Sequence, residues 1–116
     1  MPHDMAQGTM QIIDSVVSIP TTHSNITLVS GGYYRIGKLI IVNMRLVCDQ
    51  LIAAHGYPVT NLPIPDNSIT TSGSSVVPVY NNINGNIFLL NDGKIYATTE
   101  LQANQMLLLS CVYICK

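Results

Sequence analysis

The fold of this chain is decided by residues 38–49, which read KLIIVNMRLVCD. Every second residue from Ile40 to Cys48 is apolar, and this period of two predicts a β-strand with one face turned to a core. The alternate row is Leu39, Ile41, Asn43, Arg45 and Val47. A row that mixes apolar and polar side chains in this way suits a subunit interface with a few paired charges. We therefore predict that these five residues form an oligomer contact.

Further strand patterns recur between clusters of Gly, Asn, Pro and Ser. They fall at Ile12–Ile19, Ile26–Val29, Tyr33–Ile36, Val76–Tyr80, Ile87–Leu90, Ile95–Thr98 and Leu107–Ile114. The last of these is apolar on both faces, which predicts a central strand covered on both sides. Helix signals are nearly absent, and the one candidate turn, Thr99–Met106, reads equally well as a loop. The pattern predicts an all-β protein, an antiparallel β-sandwich of jelly-roll type.

Turn residues predict how some of these strands connect. Asn84-Gly85 and Asp92-Gly93 are dipeptides that tolerate the positive φ angles of tight hairpins. A two-residue loop at Asp92-Gly93 would place Leu90 opposite Ile95 and Leu89 opposite Tyr96. Pro78 cannot donate a ladder hydrogen bond, so its strand is expected at a sheet edge or at a bulge. The segment Ala54–Ser75 reads as a long irregular loop, and binding is expected there.

The composition of the 116-residue chain predicts one domain that self-associates. We assign residues 11–116 to this domain and residues 1–10 to a ragged N-terminus. Hydrophobic residues make up 47% of the chain and charged residues 9%, and the mean hydropathy is +0.32. No apolar run approaches the ~18 residues of a membrane helix, so we expect a soluble chain with no membrane insertion. Apolar surface on so small a domain is then covered most simply by further copies of the chain.

The charged residues and cysteines give little sign of chemistry. Net charge is −1 without any basic cluster, which argues against nucleic acid as a partner. The six carboxylates are scattered and no nucleophile motif is present, so we expect no enzyme, cofactor or metal. Cys48, Cys111 and Cys115 read as small buried hydrophobes. On one strand Cys111 and Cys115 would lie about 13 Å apart, beyond the ~7 Å reach of a disulfide.

Aromatic and amide side chains offer a candidate ligand surface. The set is His55, Tyr57, Asp66, Asn67, Tyr80 and Asn82, extended by Asn81 and Asn84. Aromatic faces stack on the C–H faces of sugars, while amides and carboxylates bind hydroxyls. The alternative reading is structural. Asn82 and Asn84 would shape a turn, Tyr80 would pack at an interface, and His55 with Tyr57 would close a loop.

Three runs of the chain resemble the C-terminal head domains of bacteriophage tail-fibre and baseplate receptor-binding proteins. Gly32–Leu46, after the lead-in Ile26–Val29, is similar to a short Y-R-x-G-x-x-V-x-V hairpin of those heads. Leu62–Pro65 resembles their L-P-x-P loop, and Gly85–Tyr96 their G-x-I-x-L-x-x-D-G-x-I-Y hairpin. The likeness spans roughly Ile26–Ile114 and rests on turns and strands rather than on catalytic signatures.

The resemblance implies a β-sandwich head that forms a homotrimer at the virion tail tip. It also implies recognition of a saccharide or another receptor on a bacterial surface, without catalysis. One alternative is a purely structural trimerisation or capping domain with no ligand. A small polysaccharide depolymerase or esterase is a third reading, which the scarcity of carboxylates disfavours.

Overall fold

The computed structural model describes residues 17–66 and 77–116, and this part of the chain contains nine β-strands and no helix. The strands are β1 (Thr21–Thr22), β2 (Ile26–Ile36), β3 (Leu39–Cys48), β4 (Gly56–Thr60), β5 (Val77–Pro78), β6 (Tyr80–Asn81), β7 (Ile87–Leu89), β8 (Ile95–Ala97) and β9 (Gln105–Ile114). They form a five-stranded sheet, β1-β4-β8-β7-β5, and a four-stranded sheet, β2-β3-β9-β6. Every pairing is antiparallel, which confirms the predicted all-β antiparallel class.

A single hydrophobic core joins the two sheets. The predicted inner row of β3, from Ile40 to Cys48, is at most 2% exposed. The other buried strand residues come from both sheets: Leu107, Leu109, Cys111 and Tyr113 from β9, and Val59, Ile87, Leu89, Ile95 and Ala97 from the five-stranded sheet. The two sheets therefore share one hydrophobic core in a sandwich-like, two-layer arrangement.

Strand β2 is one continuous strand, whereas the sequence pattern predicted two strands there, Ile26–Val29 and Tyr33–Ile36. The ladder with β3 shifts between Leu28 and Ser30, at a bulge, and then continues to the turn at Gly37. Gly31 makes this continuation possible, because its φ is +84° and a Cβ there would lie 2.0 Å from the Asn43 carbonyl oxygen. Only glycine accepts both constraints at once.

Strand β4 lies in the segment that we expected to be irregular, so that prediction was wrong for residues 56–60. The strand pairs with β1 on one side and with β8 on the other. Pro58 interrupts the run of strand-forming residues that would otherwise predict β4. The register with β8 shifts between Gly56 and Val59, so the missing N–H of Pro58 lies where the ladder is irregular. Its carbonyl accepts a hydrogen bond from the His23 N–H.

The hairpin after β7 has a three-residue loop, and the predicted two-residue loop was wrong. Leu90 N–H donates to the Lys94 carbonyl at 2.8 Å, and Gly93 adopts a φ of +84°. The register is therefore Ile87 with Ala97, Phe88 with Tyr96, and Leu89 with Ile95. Buried residues now oppose buried residues, as a shared inner face requires.

The chain changes sheets within the run that contains Pro78. Strand β5 is the edge of the five-stranded sheet, as the proline predicts, and β6 is the edge of the four-stranded sheet. Asn84 has a φ of 56°, but its turn connects two sheets rather than two partners of one hairpin. Most of the predicted strand Ile12–Ile19 and all of the predicted ragged N-terminus lie outside the described residues.

Candidate functional site

The outer face of the five-stranded sheet carries a group of aromatic side chains that we call the aromatic cluster: His55, Tyr57 and Tyr96, with Lys94 beside them. Strands β4 and β8 are neighbours, with Gly56 opposite Ala97. This pairing brings the rings of Tyr57 and Tyr96 to a centroid distance of 5.7 Å, tilted by 44°. Tyr57 is 40% exposed and Tyr96 is half-buried, so the first projects to solvent while the second forms the floor.

The backbone and the ring of His55 are both held in place. Its N–H donates to the Ala97 carbonyl at 2.9 Å, and its φ is 68°, a left-handed conformation that histidine adopts more readily than most residues. The Nδ1 atom lies 2.5 Å from the Tyr96 hydroxyl oxygen. When the hydroxyl donates to Nδ1, the ring proton sits on Nε2, which is then available as a donor.

Lys94 adds a charge that is balanced locally. Its Nζ lies 5.3 Å from the centroid of the Tyr57 ring and 3.9 Å from a carboxylate oxygen of Asp92. Both charged side chains are about half exposed, so the ion pair itself contributes little to stability. The pair adds one donor group, one acceptor group and no net charge to the aromatic cluster.

The predicted binding residues do not form one site. His55 and Tyr57 come together in the aromatic cluster, whereas Tyr80 and Asn82 lie at the edge of the other sheet. The N–H of Asp66 donates to the Ile114 carbonyl, near the end of β9. Asn67 lies outside the described residues.

Sequence reasoning missed Tyr96 and Lys94, although one signal was present. Tyr96 follows the hairpin loop by three residues, and the three-residue loop places it opposite Phe88 on the outer face. The two-residue loop instead assigns Tyr96 to the same side as Leu89, which is buried.

Asn82 makes structural contacts at the edge of β9. Its side-chain Nδ2 donates to the Met106 carbonyl at 3.0 Å, and its Oδ1 accepts from the Leu108 N–H at 2.9 Å. The Asn81 side chain binds the following turn through the N–H groups of Ile83 and Gly85. These amides satisfy backbone groups that the short strand β6 leaves unpaired.

The outer side of the four-stranded sheet, which we call the apolar face, is the second candidate surface. All five residues of the predicted interface row lie on it, with Ile41 opposite Val112 and Arg45 opposite Leu108. Its exposed apolar members from β9 are Met106, Leu108, Val112 and Ile114. Val112 is 60% exposed. Strand β9 is thus central within its sheet, as predicted, but residues 17–66 and 77–116 cover only its inner face.

A cavity of about 520 Å³ opens at one side of the apolar face, next to Tyr80. Its lining includes Ile41, Pro78 and Val112, and the Tyr80 ring is 79% exposed. An exposed aromatic ring beside an apolar hollow gives this side of the sheet a shape into which a partner's side chain can fit.

The three cysteines are free and buried, as the sequence predicts. Burial raises the pKa of the Cys111 thiol to about 12. Burial also raises the pKa of the Cys48 thiol, with a further contribution from the charge of Asp49. A thiolate is the reactive form of cysteine, so neither residue is suited to act as a nucleophile.

Neither metal ligation nor a membrane helix is evident in residues 17–66 and 77–116. That part of the chain contains no group of three His, Cys, Asp or Glu side chains able to hold a metal ion. It also contains no helix with the length and apolarity needed to cross a bilayer. Comparisons with family models, curated proteins and solved structures found no significant match.

Proposed function

We propose that this chain is the head module of a phage tail-fibre or baseplate receptor-binding protein. In this proposal it is a jelly-roll-like sandwich, forms a homotrimer at the virion tail tip, and adheres to a saccharide or another receptor on a bacterial surface. The observation that carries the proposal is the contrast between the two outer faces. One is apolar and is not covered by any other described part of the chain, while the other presents the aromatic cluster with the Lys94–Asp92 ion pair beside it.

The apolar face supports assembly by its size. Strands β3 and β9 are ten residues long and β2 is eleven, so the face is about 33 Å long and about 14 Å wide, or roughly 460 Å² in projection. The polar side chains of Asn43, Arg45 and Ser110 lie within this area, and the largest apolar patch on a monomer is often an interaction surface. Burying Val112, Leu108 and Ile41 against a second copy would remove them from water, which is the main favourable term in association.

Polar residues on the apolar face would give the contact its register. Arg45 is exposed on that face and forms no ion pair with any other described residue. Asn43 lies two residues away on the same row, opposite Ser110. A partner that pairs these groups gains a defined orientation, because leaving a buried charge unpaired is costly.

Three heads in one assembly would bind a repetitive surface polymer multivalently. Linked weak sites raise the overall avidity by roughly 10²–10⁴ over a single site without any new contact. The aromatic cluster is on the five-stranded sheet and the apolar face is on the four-stranded sheet. Assembly through the apolar face would therefore leave the aromatic cluster open to solvent.

A structural cap without a ligand is the second candidate. It is favoured by Asn82, since one of the predicted binding residues is engaged in closing the β9 edge. The two candidates share the trimer and differ only in whether the assembly binds a cell-surface polymer.

The test measures adsorption of the fluorescently labelled protein to a panel of bacterial strains. We expect binding to a subset of strains, competed by their own extracted surface polysaccharide. The monomeric variant Val112→Asp should lose roughly 10²-fold or more in apparent affinity, because avidity is lost. Leu51→Asp, an exposed apolar residue in the loop after β3, is the matched control and should bind as the wild type does. A trimer that adsorbs to no strain would favour the structural cap instead.

A further inference from the structure

We infer that the aromatic cluster is a binding site for the apolar face of a neutral pyranose residue. The inference rests on the proposed function, and it names both the location of the site and the chemical class of the ligand. It is carried by the placement of Tyr57, Tyr96, His55 and the Lys94–Asp92 pair on one outer face of the sheet.

The two tyrosine rings provide the stacking surface. Their centroids are 5.7 Å apart and their planes are tilted by 44°, so together they form a shallow V rather than a flat stack. The face of an aromatic ring carries negative charge density, which attracts the weakly positive C–H groups on the apolar side of a sugar ring. Because Tyr57 is 40% exposed, its ring remains available to such a ligand.

The floor of the V is held rigidly by contacts within the protein. Tyr96 is tied to His55 by the 2.5 Å hydrogen bond, and the two rings have a centroid distance of 5.9 Å. The backbone of His55 is anchored in turn to Ala97 on β8. A surface positioned before the ligand arrives loses less conformational freedom on binding.

Polar groups lie next to the tyrosine rings, with the Lys94 Nζ over the Tyr57 ring at 5.3 Å from its centroid. The Lys94 ammonium is a donor and the Asp92 carboxylate an acceptor, and the two stand 3.9 Å apart. The exposed edge of the His55 ring supplies a further donor or acceptor. Vicinal hydroxyls act as both donors and acceptors, so this mixture suits them.

The charge of the site favours a neutral sugar over an acidic one. Lys94 is next to Asp92, which would repel the carboxylate of a uronic or sialic acid. The other four basic residues are Arg35, Lys38, Arg45 and Lys116, and all belong to the four-stranded sheet or its ends. The aromatic cluster therefore lacks the excess positive charge that anionic ligands require.

The experiment is saturation-transfer NMR on the intact protein with a panel of methyl glycosides. The neutral probes are those of glucose, galactose, mannose, N-acetylglucosamine and rhamnose, and the anionic probe is methyl glucuronide. We expect at least one neutral probe to receive saturation on its ring C–H groups, and the glucuronide to receive none. Tyr57→Ala should weaken binding at least tenfold, whereas Tyr57→Phe, which keeps the ring, should bind within about twofold of the wild type.

Tyr80→Ala is the matched control, because Tyr80 is an exposed tyrosine on the other sheet with no part in the aromatic cluster. It should leave probe binding unchanged. A silent neutral panel, binding that survives Tyr57→Ala, or a preference for the glucuronide would overturn the inference. Adsorption to cells, measured on the same preparation, separates the outcomes. If the protein adsorbs to cells but binds no probe, only this site is refuted. If it neither adsorbs to cells nor binds a probe, the proposed function is refuted as well.

Discussion

Ile41 and Val112 stand directly opposite each other in the β3–β9 ladder, and both side chains point away from the core. Their neighbours on the inner face, Val42 and Cys111, form the next pair of the same ladder and are buried. The β3–β9 ladder thus presents apolar side chains on both of its faces. The described residues cover only the inner face.

We predict that Val112→Asp disrupts self-association while the chain remains folded. The side chain is 60% exposed in the single chain, so a carboxylate there stays hydrated in the monomer but would be desolvated and unpaired in an apolar contact. Analytical ultracentrifugation should show a monomer for this variant, with a far-UV circular dichroism spectrum like that of the wild type. An unchanged oligomer would place the contact elsewhere on the surface, and Leu51→Asp controls for the added charge.

We predict that Gly31→Ala is much more destabilising than Gly37→Ala. Both glycines have left-handed φ angles, +84° and +60°, so both substitutions incur a backbone strain of about 1–2 kcal/mol. A Cβ at Gly31 would also collide with the Asn43 carbonyl oxygen at 2.0 Å, whereas a Cβ at Gly37 has nothing within 4 Å. Relieving that collision adds about 1–3 kcal/mol. Urea unfolding measures both values, and equal losses would show that β2 does not approach β3 as described.

We predict that the protein loses stability as the pH rises above 9. Burial raises the pKa of Cys111 from 9.0 to about 12, and burial also raises the pKa of Tyr113 above its ordinary value. The folded state then holds these protons more tightly than the unfolded state does. Their stabilising contribution is complete below the unfolded pKa and is lost as the pH rises towards the folded one.

Urea unfolding between pH 7 and pH 10.5 tests this dependence, with Cys111→Val as the variant that removes one contributing group. The variant should show a shallower fall than the wild type. In the native protein at pH 8, Cys111 should also resist alkylation by iodoacetamide and react only after unfolding. Rapid alkylation of the folded protein would contradict the burial of this thiol.

Local patterns in the sequence predicted β3 and most of β9, but they divided β2 into two shorter strands. The alternation along β3 identifies the buried row without any knowledge of its partners, because the side-chain period of a strand is two. A different signal, the missing N–H of Pro78, predicted a sheet edge or a bulge, and the proline lies in the edge strand β5.

The aromatic cluster could not be predicted in this way. Tyr57 and Tyr96 are 39 positions apart, and they meet only because β4 and β8 are adjacent in the five-stranded sheet. Strand order depends on long-range packing rather than on local propensity. The predicted loop at Asp92-Gly93 was also one residue too short. An error of one residue exchanges the two faces of a strand, so it assigned Tyr96 to the wrong face of the sheet. The presence of Pro58 further concealed β4.

The mass of the wild-type protein in solution tests the central claim most directly. Sedimentation equilibrium at micromolar concentration should give three times the 12.6 kDa mass of the chain, and the glucoside or rhamnoside probes should not change it. A folded species of 12.6 kDa that persists as the concentration is raised would contradict the account, because the apolar face around Val112 would then be stable in water without a partner.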